Sequence, residues 1–499
     1  MLYCALATCL TSISIGYVIG SPNIPEAAIR GEDGDCGPHP YTIQAGFPNC
    51  FEFSDLIWGF AVGSFCLGAC AGGLMGGGIQ NKIGRVKTML VGNVAFILGA
   101  LILGLTYNQA QFVIGRIVIG FACGVGGVAA PTYLSEIATA HARGTLGTFH
   151  QFFLVIGLVI SNLVGLAWSS PPGWRIVLAA NAIPALLQCL ILPTMVESPR
   201  HLVCQQRIKE AQDALRKLRG PEADIEIHLE LNDMKILLLG EQDDEKTTDH
   251  DPENIPRDSK VVQSHDALEN DGSPSPRVNH EPYGILELFQ SECRGLAAIG
   301  IMVHFLQQAS GINGLVYYST SFLGNVFGSG NSKYITIGVS CCNLLATALS
   351  VYLIDRFNRK TLLMASFTGM SVSALLLVIG AYCNLGHLVV VAVFLYIALF
   401  AIALGPIPWM LLSEMLPTYA LSSASSIGTG VNWGTNFIIG LVFPSMTKGM
   451  GNGTFILFGA FNIFGVIFIG YFVPETRGRS IESVMAEMGV PSRASRTIR

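Results

Sequence analysis

The chain has 499 residues, 51% of them hydrophobic and only 13% charged, with a formal net charge of −5 and a mean hydropathy of +0.51. A soluble globular protein carries roughly a quarter charged residues, so this composition, with its long apolar runs, excludes an ordinary soluble domain and places most of the chain in lipid. Residues 241–282 hold twelve Asp/Glu against four Lys/Arg, a net of −8 that leaves +3 for the remainder, and no basic face for nucleic acid appears.

Crossing the hydrocarbon takes roughly 20 apolar residues. Runs of that length fall at 2–22, 56–80, 88–107, 111–133, 147–168 and 175–195, and again at 294–323, 334–354, 361–383, 387–412, 422–445 and 454–473. The first, MLYCALATCLTSISIGYVIG, lacks the basic n-region and A-x-A-like site of a signal peptide and reads as a spanning helix. It starts almost at residue 1, which is compatible with an extension ahead of it. The loop after it contains Cys36 and Cys50, the only cysteine pair sharing a polar loop, where a disulfide needs an oxidising side. Cys66, Cys70, Cys123, Cys341 and Cys342 lie in apolar runs and read as small hydrophobic filler. Between the two sets of runs lies a polar insert. Residues 203–219 have the apolar spacing of an amphipathic surface helix. Residues 241–282 are too acidic and too poor in large apolar side chains to fold alone and are expected to be disordered.

The expected architecture is an all-α membrane protein of twelve transmembrane helices in two pseudo-symmetric six-helix bundles with a helical insert. The division is 1–196 for the first bundle, 197–292 for the insert, 293–473 for the second bundle and 474–499 for the tail. Lys82, Arg85, Lys87, Arg143, Arg200 to Arg219, Arg356, Arg359 and Lys360 follow the even-numbered runs. The opposite side holds little beyond Arg30, Arg175, Lys333 and Lys448. The positive-inside rule then puts the even-numbered connections, the insert and both termini in the cytoplasm. The N-x-S/T match at Asn452-Gly453-Thr454 is a weak glycosylation signal in an outer loop.

Three echoes support two equivalent halves. Gly84-Arg85 returns as Asn358-Arg359 after 274 residues, Glu136 as Glu414 after 278, and Glu197 as Glu475 after 278. Internal repeats of this kind build many secondary transporters.

A carrier for a neutral polyol needs buried amides for the hydroxyls, an aromatic face for the C–H surface, and no permanent charge. The seventh run supplies Gln307-Gln308-Ala309-Ser310-Gly311-Ile312-Asn313-Gly314-Leu315-Val316-Tyr317-Tyr318. Gln308 and Asn313 lie about 500° of helical rotation apart, so a break at Gly311 or Gly314 is needed to bring them together. The tenth run contains Gly405-Pro406-Ile407-Pro408-Trp409, whose prolines remove backbone donors and mark a hinge, with Trp409 just beyond as a stacking platform. The eleventh contains Asn432-Trp433-Gly434-Thr435-Asn436, and Gln151 and Asn343 are lone polar residues in apolar runs.

With QQASGINGLVYYSTS, GPIPW, NWGTNF, VESPR, VPETRG, DRFNRK and PTYLSEIATAHARGTLGTFHQ in place, the sequence resembles the sugar porter family of the major facilitator superfamily, especially its facilitative glucose and hexose branch. The resemblance covers all but residues 241–282. It implies sugar contacts from Gln151, Gln307, Gln308, Asn313, Asn343, Trp409 and Asn436. It implies gating by Tyr317, Tyr318, Gly405, Pro406 and Pro408. It further implies a cytoplasmic charge network of Arg85, Glu136, Arg143, Glu197, Arg359, Glu414 and Glu475, with pairs sitting where the halves meet. Two departures stand out. The arginine expected seven residues after Glu414 is Leu421, which weakens that half of the network, and Ala401 replaces a glutamate often found eight residues before the tryptophan.

Proton-coupled relatives carry an Asp after Gly-Tyr in the first helix; here Gly16-Tyr17 precedes Val18. No Asp, Glu or Lys lies mid-run, Arg116 does not release its proton, and Glu26 and Asp55 flank the outer loop, where solvation is expected. Facilitated diffusion of a glucose-like hexose is the expectation, with proton symport and a sugar sensor as alternatives. Sensors usually carry long cytoplasmic tails, whereas only 26 residues follow Val473. No zinc-ligand spacing or phosphate loop argues for an enzyme, a metal or a cofactor, and His304 reads as a core or interface histidine. The expected partners are a small sugar and the lipid bilayer; the sequence carries no signal for an oligomeric state.

Overall fold

The computed structural model describes residues 1–31, 43–44, 47–139, 143–220, 224–239, 285–479 and 481–489. Twelve long helical segments follow the apolar runs. The first six are α1 (Leu2–Gly20), α2 (Asp55–Ile83), α3 (Arg85–Gly104), α4 (Gln109–Ile137), α5 (Arg143–Ala167) and α6 (Trp174–Thr194). The second six are α7 (Arg294–Gly324), α8 (Asn331–Arg356), α9 (Arg359–Tyr382), α10 (Gly386–Met415), α11 (Thr418–Met450) and α12 (Thr454–Phe472). Eleven are long and apolar enough to cross a membrane. The exception, α11, has 33 residues and carries Asn432, Thr435 and Asn436.

Local chemistry sets the boundaries. Ser54 caps α2 by accepting from Ile57 N, and Asn108 caps α4 by accepting from Gln111 N at 2.8 Å. Gly84, at φ +92°, both ends α2 and begins α3, a backbone value that favours glycine. The outward faces are apolar, with Leu98, Ile183, Leu190, Leu345 and Ile463 exposed, as helices bathed in acyl chains require.

Inside the first half, glycines bring backbones together. A Cβ on Gly16 of α1 would lie 1.8 Å from Leu154 O of α5, and one on Gly120 of α4 would lie 1.9 Å from Phe65 O of α2. The halves meet along two symmetry-related seams, α2 on α11 and α5 on α8. The first seam is also glycine-lined: a Cβ on Gly59 would meet Leu441 O at 2.4 Å, and a Cβ on Gly440 would approach Gly63 Cα at 3.3 Å.

Two expectations change. The helix expected over residues 203–219 is two helices, Pro199–Cys204 and Ile208–Arg219, because Gln206 turns to φ +58° and Arg207 N bonds back to Leu202 O. A third helix, Asp224–Leu239, completes a small core of Leu202, Val203, Ala211, Leu215, Ile227 and Leu231. Arg219 holds this insert to the first half by donating to Ile137 O at 2.7 Å. Second, Glu26 is buried, whereas Asp55 keeps 26% of its side chain exposed. Glu26 is 4% exposed and pairs with Arg30, and Asp55 pairs with both Arg30 and Lys448 at 2.7 Å. The connection between α1 and α2 also carries a short helix, Glu26–Arg30, and two short antiparallel strands that pair Ile43–Gln44 with Phe47–Pro48. Cys50 is disulfide-bonded, while Cys36 and residues 241–282 lie outside the described residues. So does the side chain of Asn452.

Gly16→Val forces the α1–α5 contact apart, and overpacking of this kind costs about 1–3 kcal/mol. Purified Gly16→Val is expected to melt well below the parent in detergent. Gly77→Ala, where an added Cβ meets nothing within 4 Å, should match or exceed it.

Candidate functional site

The α7 segment is two helices joined at Ser310 and Gly311. Gly311 adopts φ +83°, and a Cβ there would strike the Phe458 ring at 2.4 Å, so both the conformation and the space demand glycine. The break swings Asn313 back toward Gln308, and Asn313 Nδ2 donates to Gln308 Oε1.

In α10 the helix widens into a π turn over Phe400–Leu404 ahead of the prolines. Pro406 and Pro408 have no N–H, so the carbonyls four residues back, on Ile402 and Leu404, lose their helical donors. Both find others. Ser350 Oγ of α8 donates to Ile402 O at 2.7 Å. Gln307 Nε2 donates to Leu404 O at 2.8 Å and to Gly405 O at 2.9 Å. That fixes the Gln307 amide with its oxygen toward α11, where Asn432 Nδ2 donates to it at 2.7 Å. Asn432 Oδ1 in turn accepts from Gln308 Nε2 at 2.9 Å. Four amides thus form one array across α7, α10 and α11.

The array faces a cavity of about 230 Å³ at the seam between the halves. All seven residues expected to contact sugar line it: Gln151 from the first half, and Gln307, Gln308, Asn313, Asn343, Trp409 and Asn436 from the second. No Asp, Glu, Lys or Arg lies among the residues that line it. Trp409 is 44% exposed, and its inner edge is held by His304, whose ring centroid lies 4.8 Å away at 72°. Gly405 and Pro406 also line the cavity. Tyr317 and Tyr318 do not. Tyr317 donates to Asn436 Oδ1 at 2.7 Å, and Tyr318 donates to Gly440 O at 2.9 Å while stacking on Phe443. Beyond them a second cavity is lined by Asn23, Glu26, Arg30, Asp55, Tyr318 and Lys448 among others, so the tyrosines stand between the two spaces.

His150, Thr429, Asn432 and Trp433 also line the central cavity and were not singled out as contacts. The signal was present on α11, where Thr429, Asn432, Trp433 and Asn436 follow the i, i+3, i+4, i+7 spacing of one helical face.

The two ends of the molecule differ. At the end carrying Glu26 and Asp55, bonds cross between halves: Asn23 Nδ2 donates to Val316 O and Ser319 Oγ at 2.8 Å, and Lys448 reaches Asp55. At the basic end the charge pairs among the described residues close within each half. Arg85 binds Glu136 at 2.8 Å and Arg359 binds Glu414 at 3.3 Å. The backbone N–H groups of Arg85 and Arg359 donate to Glu197 and Glu475. The reason is geometric: Glu136 and Glu197 frame the start of α3, and Glu414 and Glu475 frame the start of α9 in the same way. Arg143 opens α5, and its side chain lies outside the described residues.

Two helical bundles with a central polar cavity lined by no formal charge define a membrane carrier of the major facilitator fold. Comparison with known proteins agrees. The family model for sugar (and other) transporters matches residues 4–487, and the chain belongs to that family: it is a multi-pass sugar transporter. The mouse protein "Solute carrier family 2, facilitated glucose transporter member 2" is 32% identical over 444 residues, 87% of this chain and 77% of that protein. The Caenorhabditis elegans "Facilitated glucose transporter protein 1" is 31% identical over 502 residues, 97% of this chain and 90% of that one. The solved structure of the proton:xylose symporter XylE bound to 6-bromo-6-deoxy-D-glucose superposes with a TM-score of 0.74 at 25% identity, covering 97% and 98% of the two chains. The inward-open xylose transporter XylE from E. coli gives 0.72 at 25% identity, covering 97% and 98%.

Asn432→Leu leaves Gln307 Oε1 and Gln308 Nε2 buried without partners, at about 1–3 kcal/mol each. The expected result is a loss of apparent sugar affinity, read by tryptophan-fluorescence titration, larger than that of Thr429→Val on the same face.

Proposed function

We propose that this protein carries a neutral, glucose-like hexose by facilitated diffusion, alternating between conformations open at one end and then the other. The observation that carries this reading is the amide array Asn313–Gln308–Asn432–Gln307 beside the Trp409 indole in a cavity lined by no formal charge. Amides replace the water that sugar hydroxyls shed, and the indole covers a C–H face. Gln151, Asn343 and Asn436 offer further hydroxyl partners from the remaining walls. The glucose-transporter relatives favour a hexose over a pentose. Tyr317 and Tyr318 close the path toward the second cavity, and the α10 segment around Gly405, Pro406 and Pro408 flexes as the halves rock. The excess of Lys and Arg at the Arg85 end favours that end as cytoplasmic, together with both termini and the insert, in a plasma membrane. The conformation described is then inward-facing.

The symport reading draws on the resemblance to XylE. Against it, Arg116 sits fully buried in α4 and, among the described residues, pairs with no carboxylate that could share a proton. Its Nη1 and Nη2 donate to Val18 O at 3.1 Å and Val62 O at 2.8 Å, and its guanidinium covers Phe65 at 4.7 Å.

Two measurements test this. In proteoliposomes, labelled glucose should equilibrate with the outside concentration and go no further, with or without an imposed pH gradient; accumulation severalfold above equilibrium would return symport. Trp409→Ala should cut uptake by about tenfold or more, the loss of roughly 1.4 kcal/mol, while the protein still inserts. Undiminished uptake would remove the stacking role.

A further inference from the structure

The charged clusters at the basic end are near copies. Arg85 N donates to Glu197 Oε1 at 2.8 Å, its Nη1 to Gln80 O at 3.3 Å and its Nη2 to Glu136 Oε1 at 2.8 Å. Arg359 repeats all three contacts, to Glu475 Oε1, Ile354 O and Glu414 Oε1. The copies differ at two points. Arg85 Nη1 also lies 2.7 Å from His201 Nδ1, whereas the residue 278 after His201 is Arg479, which pairs with Glu487. And Glu414 Oε2 accepts from Thr476 Oγ1, while the buried Glu136 Oε2 has no hydrogen-bond partner among the described residues. The first half therefore has a titratable ring in its arginine cluster that the second half lacks.

A guanidinium is always a donor, so His201 Nδ1 accepts, and the ring is neutral in this conformation. His201 is 5% exposed, on the helix Pro199–Cys204 outside the membrane-spanning segments. Burial, and then the Arg85 charge, hold its pKa below the ordinary histidine value. The other groups around it are Glu197 and Glu136, which pull the other way, and Arg207, which adds to Arg85.

We propose that His201 is a positioning residue whose neutral ring holds Arg85 inside the first half, so that a proton taken up from the basic side releases Arg85 and biases the carrier away from this conformation. The sign follows from the contact. A proton on Nδ1 removes the acceptor and sets two cations side by side, so acid raises the free energy of the conformation in which Arg85 touches His201. A conformation in which Arg85 has moved off carries no such penalty. The hold is complete at neutral pH and is lost as pH falls through the lowered pKa of the ring. The inference rests on alternating access but not on uniport, because it concerns the rate of exchange and not coupling to a gradient.

The test is exchange of labelled glucose at equal concentrations and equal pH on both sides of proteoliposomes holding the full chain. From about pH 7.5 to about pH 5 the parent should slow by about tenfold if the ring's pKa differs by one unit between conformations. His201→Gln keeps an acceptor for Arg85 but cannot titrate, and should exchange at the parent's neutral rate across the whole range. His201→Phe removes the acceptor and should exchange near the parent's acid rate at every pH; if it fails to fold, the glutamine variant still decides. A parent that is flat with pH, or a glutamine variant with the parent's profile, overturns the proposal. Because no gradient is present, either result leaves the uniport question to the accumulation measurement.

Discussion

A proline in a lipid-buried helix strands the carbonyl one turn behind it, and no water is at hand to repair the loss. The centre of this carrier is organised around two such carbonyls. Ile402 O is met by Ser350 from α8 and Leu404 O by Gln307 from α7. Once Gln307 spends its amide hydrogens on Leu404 and Gly405, its oxygen has only one direction to face. Asn432 answers it, Gln308 answers Asn432, and Asn313 answers Gln308. The orientation of every amide in the array thus descends from the Gly-Pro-Ile-Pro segment. The same segment that interrupts α10 also dictates what the cavity presents.

Much of this was legible in the sequence, and for physical reasons. Spanning helices announce themselves because lipid forbids long polar stretches, and the twelve runs match the twelve helices to within a few residues. The amide-rich segment at Gln307 could be recognised because polar side chains mid-membrane need a reason to be there. The need for a break between Gln308 and Asn313 followed from helical rotation alone, and Gly311 provides it. What stayed hidden was pairing across long separations. Nothing local says that Gln307 gives its N–H groups to backbone, or that Asn432, and not only Asn436, completes the array. The charge network illustrates the same limit. The repeat marks the residues, but the choice between partners within a half and across halves depends on which conformation the molecule adopts. The insert misled for a different reason: residues 203–219 fit one amphipathic pattern, yet a single left-handed residue at Gln206 divides it.

The two ends use different chemistry to do different work. The end bearing Asn23 is joined by short hydrogen bonds from one turn onto the broken α7 helix, with the Asp55–Lys448 pair at its rim. These contacts bridge halves and must part for that end to open. The basic end holds its charges within halves, where they stiffen the Gly84 turn and its counterpart before α9. A buried ion pair in this setting acts less as glue than as a choice between alternative partners.

The α2–α11 seam has a further consequence. Where Gly59 and Gly63 lie against Leu441 and Gly440, the two bodies touch main chain to main chain, flanked by the edge-on ring pairs Phe60–Phe437 and Phe65–Trp433. At the glycines nothing branches between the two backbones, and the ring pairs on either side set the register in which one body lies on the other.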